Sequence, residues 1–356
     1  MKRKLLLIFF SLIFLLGVGS CKSKGKSSNE QIIDNPTSKY IKYDTDDYSV
    51  PEPTNPSDKK VIYDCNNGFK YTAHISTDNK ILKPTTEPKK IASTFIGWYS
   101  DEELTKEFNF YESYSKDTTI YAKYETDFEE LSNSIYEGTI LSNIRIVSTF
   151  SPSPTFDGTK TEVIGSGVIF SASKTGYYAL TNHHVVYNEN NYIFDKYDIF
   201  DCYNNQYQGL VTYKDVNYDL AVIYFSRKNI DGIEVKEELN DISFANFLPK
   251  ENEKIISIGN PHKIMNSVSY GKYLGLKSYT ASSSIKDKSN INFDVLSHTS
   301  KIETGSSGGM VLDTNLRLVG INFASKMNDG SFEYAYAVPL SKVIEFILNY
   351  DEKGTD

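Results

Sequence analysis

The sequence predicts a mainly β protein built in two unequal β parts, and three observations carry that prediction. Short runs dense in Val, Ile, Tyr and Phe recur along the chain, among them "KKVIYDC", "FKYTAHIS", "NIRIVSTF", "DLAVIYF" and "RLVGINFAS". Asn-Gly, Pro, Gly and Asp signals separate them at close spacing, the pattern of strands joined by tight turns. Only one segment, "LSKVIEFILNY" near the end, has the periodicity of an amphipathic helix.

The first element is not part of the fold. Lys2-Arg3-Lys4 precede the apolar run "LLLIFFSLIFLLGV", which is shorter than the ~18 to 20 residues of a membrane-spanning helix. A basic start, a short apolar run and small residues make residues 1–20 a secretory signal peptide. Val18-Gly19-Ser20-Cys21 resembles the bacterial lipobox, which implies cleavage before Cys21 and a diacylated cysteine. Two acyl chains would hold the protein durably at the cell membrane, facing the extracellular side. The formal net charge of -8 becomes -11 once Lys2, Arg3 and Lys4 are removed. So acidic a chain gives no reason to expect a nucleic-acid partner.

Residues 21–58 are rich in Ser, Asn, Asp, Lys and Pro and end in "VPEPTNPSD", the composition of a disordered, solvated tether. As a flexible coil it would span roughly 30 to 35 Å, enough to clear the lipid headgroups.

Residues 59–126 form the smaller β part. Within it "FIGWYSDEELTKEFNF" and "DTTIYAKYE" resemble the Listeria-Bacteroides (InlB B-type) repeat, through Gly97, Trp98, Tyr99, Leu104, Thr105, Phe110, Ile120, Tyr121, Ala122 and Lys123. The resemblance implies a compact β-grasp-like unit that serves on bacterial surfaces as a spacer or as a contact to surface or wall. One copy is present. Trp98, the only tryptophan, is expected in its core.

Residues 127–356 form the larger part, with enough short strands for a sandwich or barrel domain. Cysteine chemistry plays no part in it. Besides Cys21 the chain holds Cys65 and Cys202, one in each β part, and the lack of a Cys/His ligand set gives no case for a metal. No cofactor is expected.

The chemistry lies in three places. "TGSSGGM", 304 to 310, sets Ser307 among glycines. A serine hydroxyl is a poor nucleophile that needs a base within hydrogen-bond reach and N–H donors for the developing oxyanion; Gly305 and Ser307 are the natural donors. By itself the motif is equally a tight turn. "YYALTNHHVV" ends a strand in two histidines, and "VNYDLAVIYF" puts Asp219 at the mouth of a very apolar strand. A carboxylate buried there requires a partner, because an unpaired buried charge costs several kcal/mol, on the order of 3 to 5.

In the order His, Asp, Ser, these blocks resemble the trypsin-like serine proteases, and most closely the HtrA/DegP type. "GSGVIF", "LTNHHVV", "DLAV", "SIGNP" and "ETGSSGGMVLDTNLRLVGINFAS" match that family's ordered blocks across about residues 160 to 325. The resemblance implies a two-barrel trypsin-like (chymotrypsin-fold) domain with its site between the barrels. It also implies His184 as general base, Asp219 as its orienting carboxylate, Ser307 as nucleophile, and Gly305 and Ser307 as the oxyanion hole. His184 is preferred to His183 because the family places its histidine directly before Val-Val. Asp215 reads as a loop acid, and His298 as a residue that faces solvent or, less expectedly, lines the specificity pocket.

Departures from the family are informative. Ser306 stands where these enzymes carry Asn or Asp, so activation by a freed N-terminus is not expected. Glu303-Thr304 and Met310 also replace the usual residues around the nucleophile, and Lys301 sits where the base of the primary pocket is expected. The 49 residues after Ser307 leave no room for a PDZ domain. The function expected is a membrane-anchored extracellular serine endopeptidase acting on proteins or peptides. The rival is an inactive surface adhesin or scaffold with a protease-like fold.

Overall fold

The computed structural model describes residues 38–189 and 191–353. The expected signal peptide, Cys21 and the first part of the expected tether lie outside the described residues.

The smaller part is a four-stranded sheet made by β1 (Pro56–Asp64), β2 (Lys70–Ser76), β3 (Ser93–Tyr99) and β4 (Thr118–Thr126), in the order β2-β1-β4-β3. β1 and β4 run parallel at its centre and the outer pairs are antiparallel. Alternation along β1 sends Val61 and Tyr63 inward and leaves Lys60 and Ile62 exposed. Trp98 is 4% exposed and meets Tyr63 edge-on at 5.5 Å, so it is a packed core ring. Among the described residues no helix crosses this sheet; Phe108, Phe110 and Tyr114 of the β3–β4 connection, with Tyr48, cover it instead.

Residues 38–55, read from composition as solvated tether, instead lie against the folded parts. The Phe244 N–H donates to the Lys42 carbonyl at 2.7 Å, and Tyr43 forms a parallel bridge with Phe244. The Tyr40 ring packs at 5.6 Å from Tyr178 and 5.2 Å from Tyr350, and Tyr48 is buried in the small sheet's core. Tyr40, Ile41, Tyr43 and Tyr48 are enough apolar surface to anchor a segment whose average composition is polar.

A short helix, α1 (Phe128–Glu137), links the two parts. Asp127 caps it by accepting from the Glu129 and Glu130 N–H groups, and Leu131 and Ile135, one turn apart, are its buried face.

Two closed six-stranded barrels follow. The first holds β5 (Asn143–Pro152), β6 (Thr161–Ala172), β7 (Gly176–Thr181), β8 (Tyr192–Phe200), β9 (Gln206–Asp215) and β10 (Leu220–Ser226), in the order β10-β7-β6-β5-β8-β9. The second holds β11 (Lys254–Gly259), β12 (Ser267–Thr280), β13 (Asn292–His298), β14 (Met310–Leu312), β15 (Leu318–Asn328) and β16 (Ser331–Pro339), in the order β11-β12-β13-β16-β15-β14. The strands with the longest apolar runs, such as β10 with Leu220 to Ile223 all buried, sit deepest. The expected C-terminal helix, α2 (Leu340–Lys353), lays Leu340, Val343, Ile344, Phe346 and Ile347 on the core that the two barrels share.

Polar contacts stitch the seam between barrels. Buried Asn143 on β5 and Asn260 after β11 exchange side-chain hydrogen bonds at 3.0 and 3.2 Å, and Asn260 Nδ2 also donates to the Ile144 carbonyl at 2.8 Å. A network of this kind fixes one relative placement of the barrels, because sliding either would leave buried amide groups unpaired.

Candidate active site

The end of β7 delivers the histidines. Thr181 closes the strand with its hydroxyl donating to the Ser166 carbonyl at 2.7 Å, and residues His183–Val185 make a single 3-10 turn. That turn points the two neighbours in different directions. His183 Nδ1 donates to the Lys288 carbonyl at 2.8 Å, and burial pushes its imidazole pKa down, so it is a neutral structural tie to the β12–β13 loop. His184 Nδ1 instead lies 2.8 Å from Asp219 Oδ2 and 3.1 Å from Oδ1.

Asp219 is held where a carboxylate rarely sits. It occupies the left-handed region, with φ of 50°, at the end of the turn that enters β10, and its side chain is 1% exposed. Asn182 Nδ2 donates to its carbonyl at 2.9 Å, and the His184 backbone N–H donates to Oδ1 at 3.0 Å. The carboxylate therefore accepts from both the backbone and the ring of one residue. That fixes the ring orientation and puts the proton on Nδ1, leaving Nε2 as the free base. Asp215 does not take part: it accepts from the Asn217 N–H at 2.8 Å and shapes the turn that leads to Asp219.

The loop that carries the candidate nucleophile, Ser307, comes from the second barrel and docks on the first through Ser166. The Ser166 N–H donates to the Ser307 carbonyl at 2.7 Å, and its hydroxyl donates to the Gly305 carbonyl at 2.7 Å. The same hydroxyl accepts from the Asn260 N–H at 2.8 Å, so one serine ties three points of the seam. A side chain at Gly308, which has φ of +84°, would meet the Ser166 carbonyl oxygen at 2.1 Å; only glycine lets the loop come this close.

Peptide planarity orients the candidate oxyanion donors. The Thr304 carbonyl accepts from the His262 N–H at 2.8 Å and the Ser306 carbonyl from the Gly309 N–H at 2.9 Å. In a trans peptide the N–H points away from its carbonyl, so the N–H groups of Gly305 and Ser307 face the opposite way. Among the described residues neither donates to a protein acceptor. Ser306, in place of Asn or Asp, closes the approach to this loop: its hydroxyl accepts from the Glu303 N–H at 3.2 Å. Met310 is buried and joins the ladder of β14, opposite Ile258 and Ile321.

Val185 and the Ser307 carbonyl flank Gly165 on β6, which brings the histidine turn and the Ser307 loop to the same strand. Among the described residues no hydrogen bond joins the Ser307 hydroxyl to the His184 ring. Contacts of this type tighten only when substrate is bound.

Two sequence expectations change. His298 neither faces solvent nor lines an open pocket: it is fully buried, and Nε2 donates to Asn322 Oδ1 at 2.8 Å. Burial pushes its pKa down to about 4, so it is neutral at pH 7. The last four residues of β13, Val295 to His298, are all buried, and Asn322 offers the acceptor. Lys301 is not at the base of a pocket; its side chain is 63% exposed and pairs with Glu303 at 2.7 Å. Sequence reasoning missed Ser166, Asn260 and Asn322. Asn322 clamps the loop from behind, with its carbonyl accepting from the Gly308 N–H at 2.8 Å and its N–H donating to the Gly309 carbonyl at 2.9 Å. All three lie inside quoted family blocks, but nothing in residue type alone distinguishes them from ordinary strand polar groups.

Comparison with known proteins gives the same fold class. Residues 165–321 match the trypsin-like peptidase domain family, and residues 60–123 match the Listeria-Bacteroides repeat domain. Similar proteins include a serine protease HtrA-like protein of Staphylococcus epidermidis, 29% identical over 64% of this chain and 38% of that protein. A probable periplasmic serine endoprotease DegP-like protein of Buchnera aphidicola is 28% identical over 73% of this chain and 54% of its own length. The serine protease Do-like HtrA of Bacillus subtilis is 27% identical over 60% of this chain and 45% of its own. The chain thus spans about half or less of the length of these curated relatives. It carries a trypsin-like peptidase domain behind a Listeria-Bacteroides repeat and is a relative of the HtrA/DegP serine proteases.

Proposed function

We propose that the chain is a serine endopeptidase that cuts protein or peptide substrates through an acyl-enzyme. The observation that carries this reading is the fully buried Asp219 carboxylate bonded to both the ring and the backbone N–H of His184. Among the described residues Nε2 of this ring has no protein hydrogen-bond partner, and Val185, next in the chain, meets Gly165 beside the Ser307 carbonyl. In the proposed reaction His184 Nε2 takes the proton from Ser307 Oγ as the oxygen attacks a peptide carbonyl. The Gly305 and Ser307 N–H groups receive the oxyanion, and Asp219 stabilises the imidazolium without itself taking a proton. The protonated Nε2 then gives its proton to the leaving amine, and water attacks the acyl-enzyme by the same route in reverse.

Labelling with a fluorophosphonate, followed by mass-spectrometric mapping, tests this. The adduct is expected on Ser307 and is expected to vanish in Ser307→Ala and His184→Ala. Folded protein that takes no label would instead support a protease-like scaffold or adhesin.

The N-terminal sequence supports attachment to the outer face of the cell membrane through a lipidated Cys21. Among the described residues no helix is long and apolar enough to cross a membrane. Cys21→Ser is expected to move the protein from the membrane to the soluble fraction; retention in the membrane would refute lipid anchoring. The repeat, residues 59–126 of the proposed domain division, would then stand between membrane and protease as spacer or surface contact.

A further inference from the structure

The His184 ring is also one wall of a cavity of about 100 Å³. Its other walls come almost entirely from the first barrel: Phe150 on β5, Thr161 and Val163 on β6, and Tyr187 and Tyr192 from the segment that follows the histidine. β-sheet register explains the grouping. Phe150 stands opposite Thr161 on one side and Phe194 on the other, and Pro152 stands opposite Tyr192. Three strand ends therefore converge beside the ring. The Lys288–Glu189 ion pair lies at the rim and neutralises its own charges.

The surface continues apolar beyond the cavity. Phe156 is 38%, Ile193 51% and Phe194 44% exposed, with Phe156 against Tyr192 at 5.5 Å and Phe194 against Phe150 at 6.5 Å. Exposed rings grouped in this way mark a contact surface more often than scattered ones do.

We infer that this cavity selects an aliphatic side chain on the leaving-group side of the scissile bond, at the first or second residue after the cut. The inference rests on the proposed protease reading and deepens it. The side follows from the chemistry. The oxyanion donors, and with them the acyl half of the substrate, belong to the second barrel, whereas His184 must face the departing amine. A pocket that begins at the His184 ring and is walled by the first barrel lies along the departing half. The preference follows from size and lining. A cavity of ~150 Å³ lined by apolar groups admits benzene, so this smaller one favours Val, Leu or Ile over Phe, Tyr and Trp. With its one ion pair closed at the rim, it offers no free charge to an acidic or basic side chain.

The test is a digest of a denatured, proteome-derived peptide library by the full-length mature protein in detergent, reading residues on both sides of every cut. Expected is an enrichment of roughly 10-fold or more of Leu, Ile and Val over Gly and Ser at one of the first two positions after the cut, the discrimination a well-filled apolar pocket supplies. Val163→Trp, which fills the cavity, is expected to abolish that enrichment while Ser307 still takes the fluorophosphonate. Tyr187→Ala, which removes a wall, is expected to admit Phe and Tyr. Cleavage with no preference after the cut, or a preference that both variants leave unchanged, overturns the inference while the protease reading stands. Absence of both labelling and cleavage removes the protease reading, and this inference with it.

Discussion

The two barrels share a strand count and differ in how they hold chemistry. The first barrel fixes its pair rigidly: His184 and Asp219 are locked by three hydrogen bonds between them, one from the backbone, with the carboxylate fully buried. The second barrel offers Ser307 on a loop whose position is borrowed. Ser166 of the first barrel holds two of its carbonyls, His262 and Gly309 hold two more, and Asn322 holds its exit. The lesson is that the proposed base is set within one barrel, whereas the proposed nucleophile and oxyanion donors depend on the seam. Damage to the pair should therefore abolish chemistry, and damage to the seam should loosen it.

The largest effect tests the pair. Asp219→Asn keeps the shape, but its amide would donate to Nδ1 and move the ring proton to Nε2, which could no longer accept from Ser307. A fall in kcat of ~10⁴-fold is expected; peptide hydrolysis close to the native rate would remove Asp219 from its assigned role.

The seam is tested next by Ser166→Ala. Losing this hydroxyl leaves the Asn260 N–H and the Gly305 carbonyl without their buried partner, at a cost of about 1 to 3 kcal/mol. If the loop carries that cost, kcat should fall about ten- to a hundredfold with KM nearly unchanged. A protein that keeps full activity and loses only thermal stability would show that the loop does not depend on the first barrel.

A third prediction, read in stability and not in rate, concerns the second barrel's own support. His298 is buried with its pKa pushed down to about 4 from an ordinary 6.5. Because the folded form resists protonation, the unfolded chain takes up the proton first. The contribution is fully present above pH 6.5 and is lost as pH falls towards 4, by on the order of 3 kcal/mol. His298→Gln can keep a donor to Asn322 without titrating, so its melting temperature should fall less between pH 7 and pH 5 than that of the native protein. Equal acid sensitivity in both would show that His298 is not the group that titrates.

How much was legible follows from particular residues. Strands such as β5, β6, β7, β10 and β15 read directly, because they are buried on most of their length and appear as apolar runs. β9 ("QYQGLVTYKD") and β12 ("SVSYGKYLGLKSYT") alternate with exposed polar residues and carry an internal glycine, so no such run marks them. α1 was missed because two buried residues one turn apart, behind an Asp cap, give too little periodicity. The polar stretch of residues 38–55 shows a related effect: four apolar anchors, Tyr40, Ile41, Tyr43 and Tyr48, vanish in an average over a polar segment.

The sequence by itself determined the class of the fold, the small repeat, and the order of the blocks that carry His184, Asp219 and Ser307, because strand period and short motifs are local properties of a chain. Only the tertiary structure decided which of two adjacent histidines meets the carboxylate, where His298 and Lys301 point, and how Ser166 ties the Ser307 loop to the first barrel. Those outcomes depend on contacts between residues such as Ser166 and Gly305, 139 positions apart, and no local pattern encodes a partner at that distance.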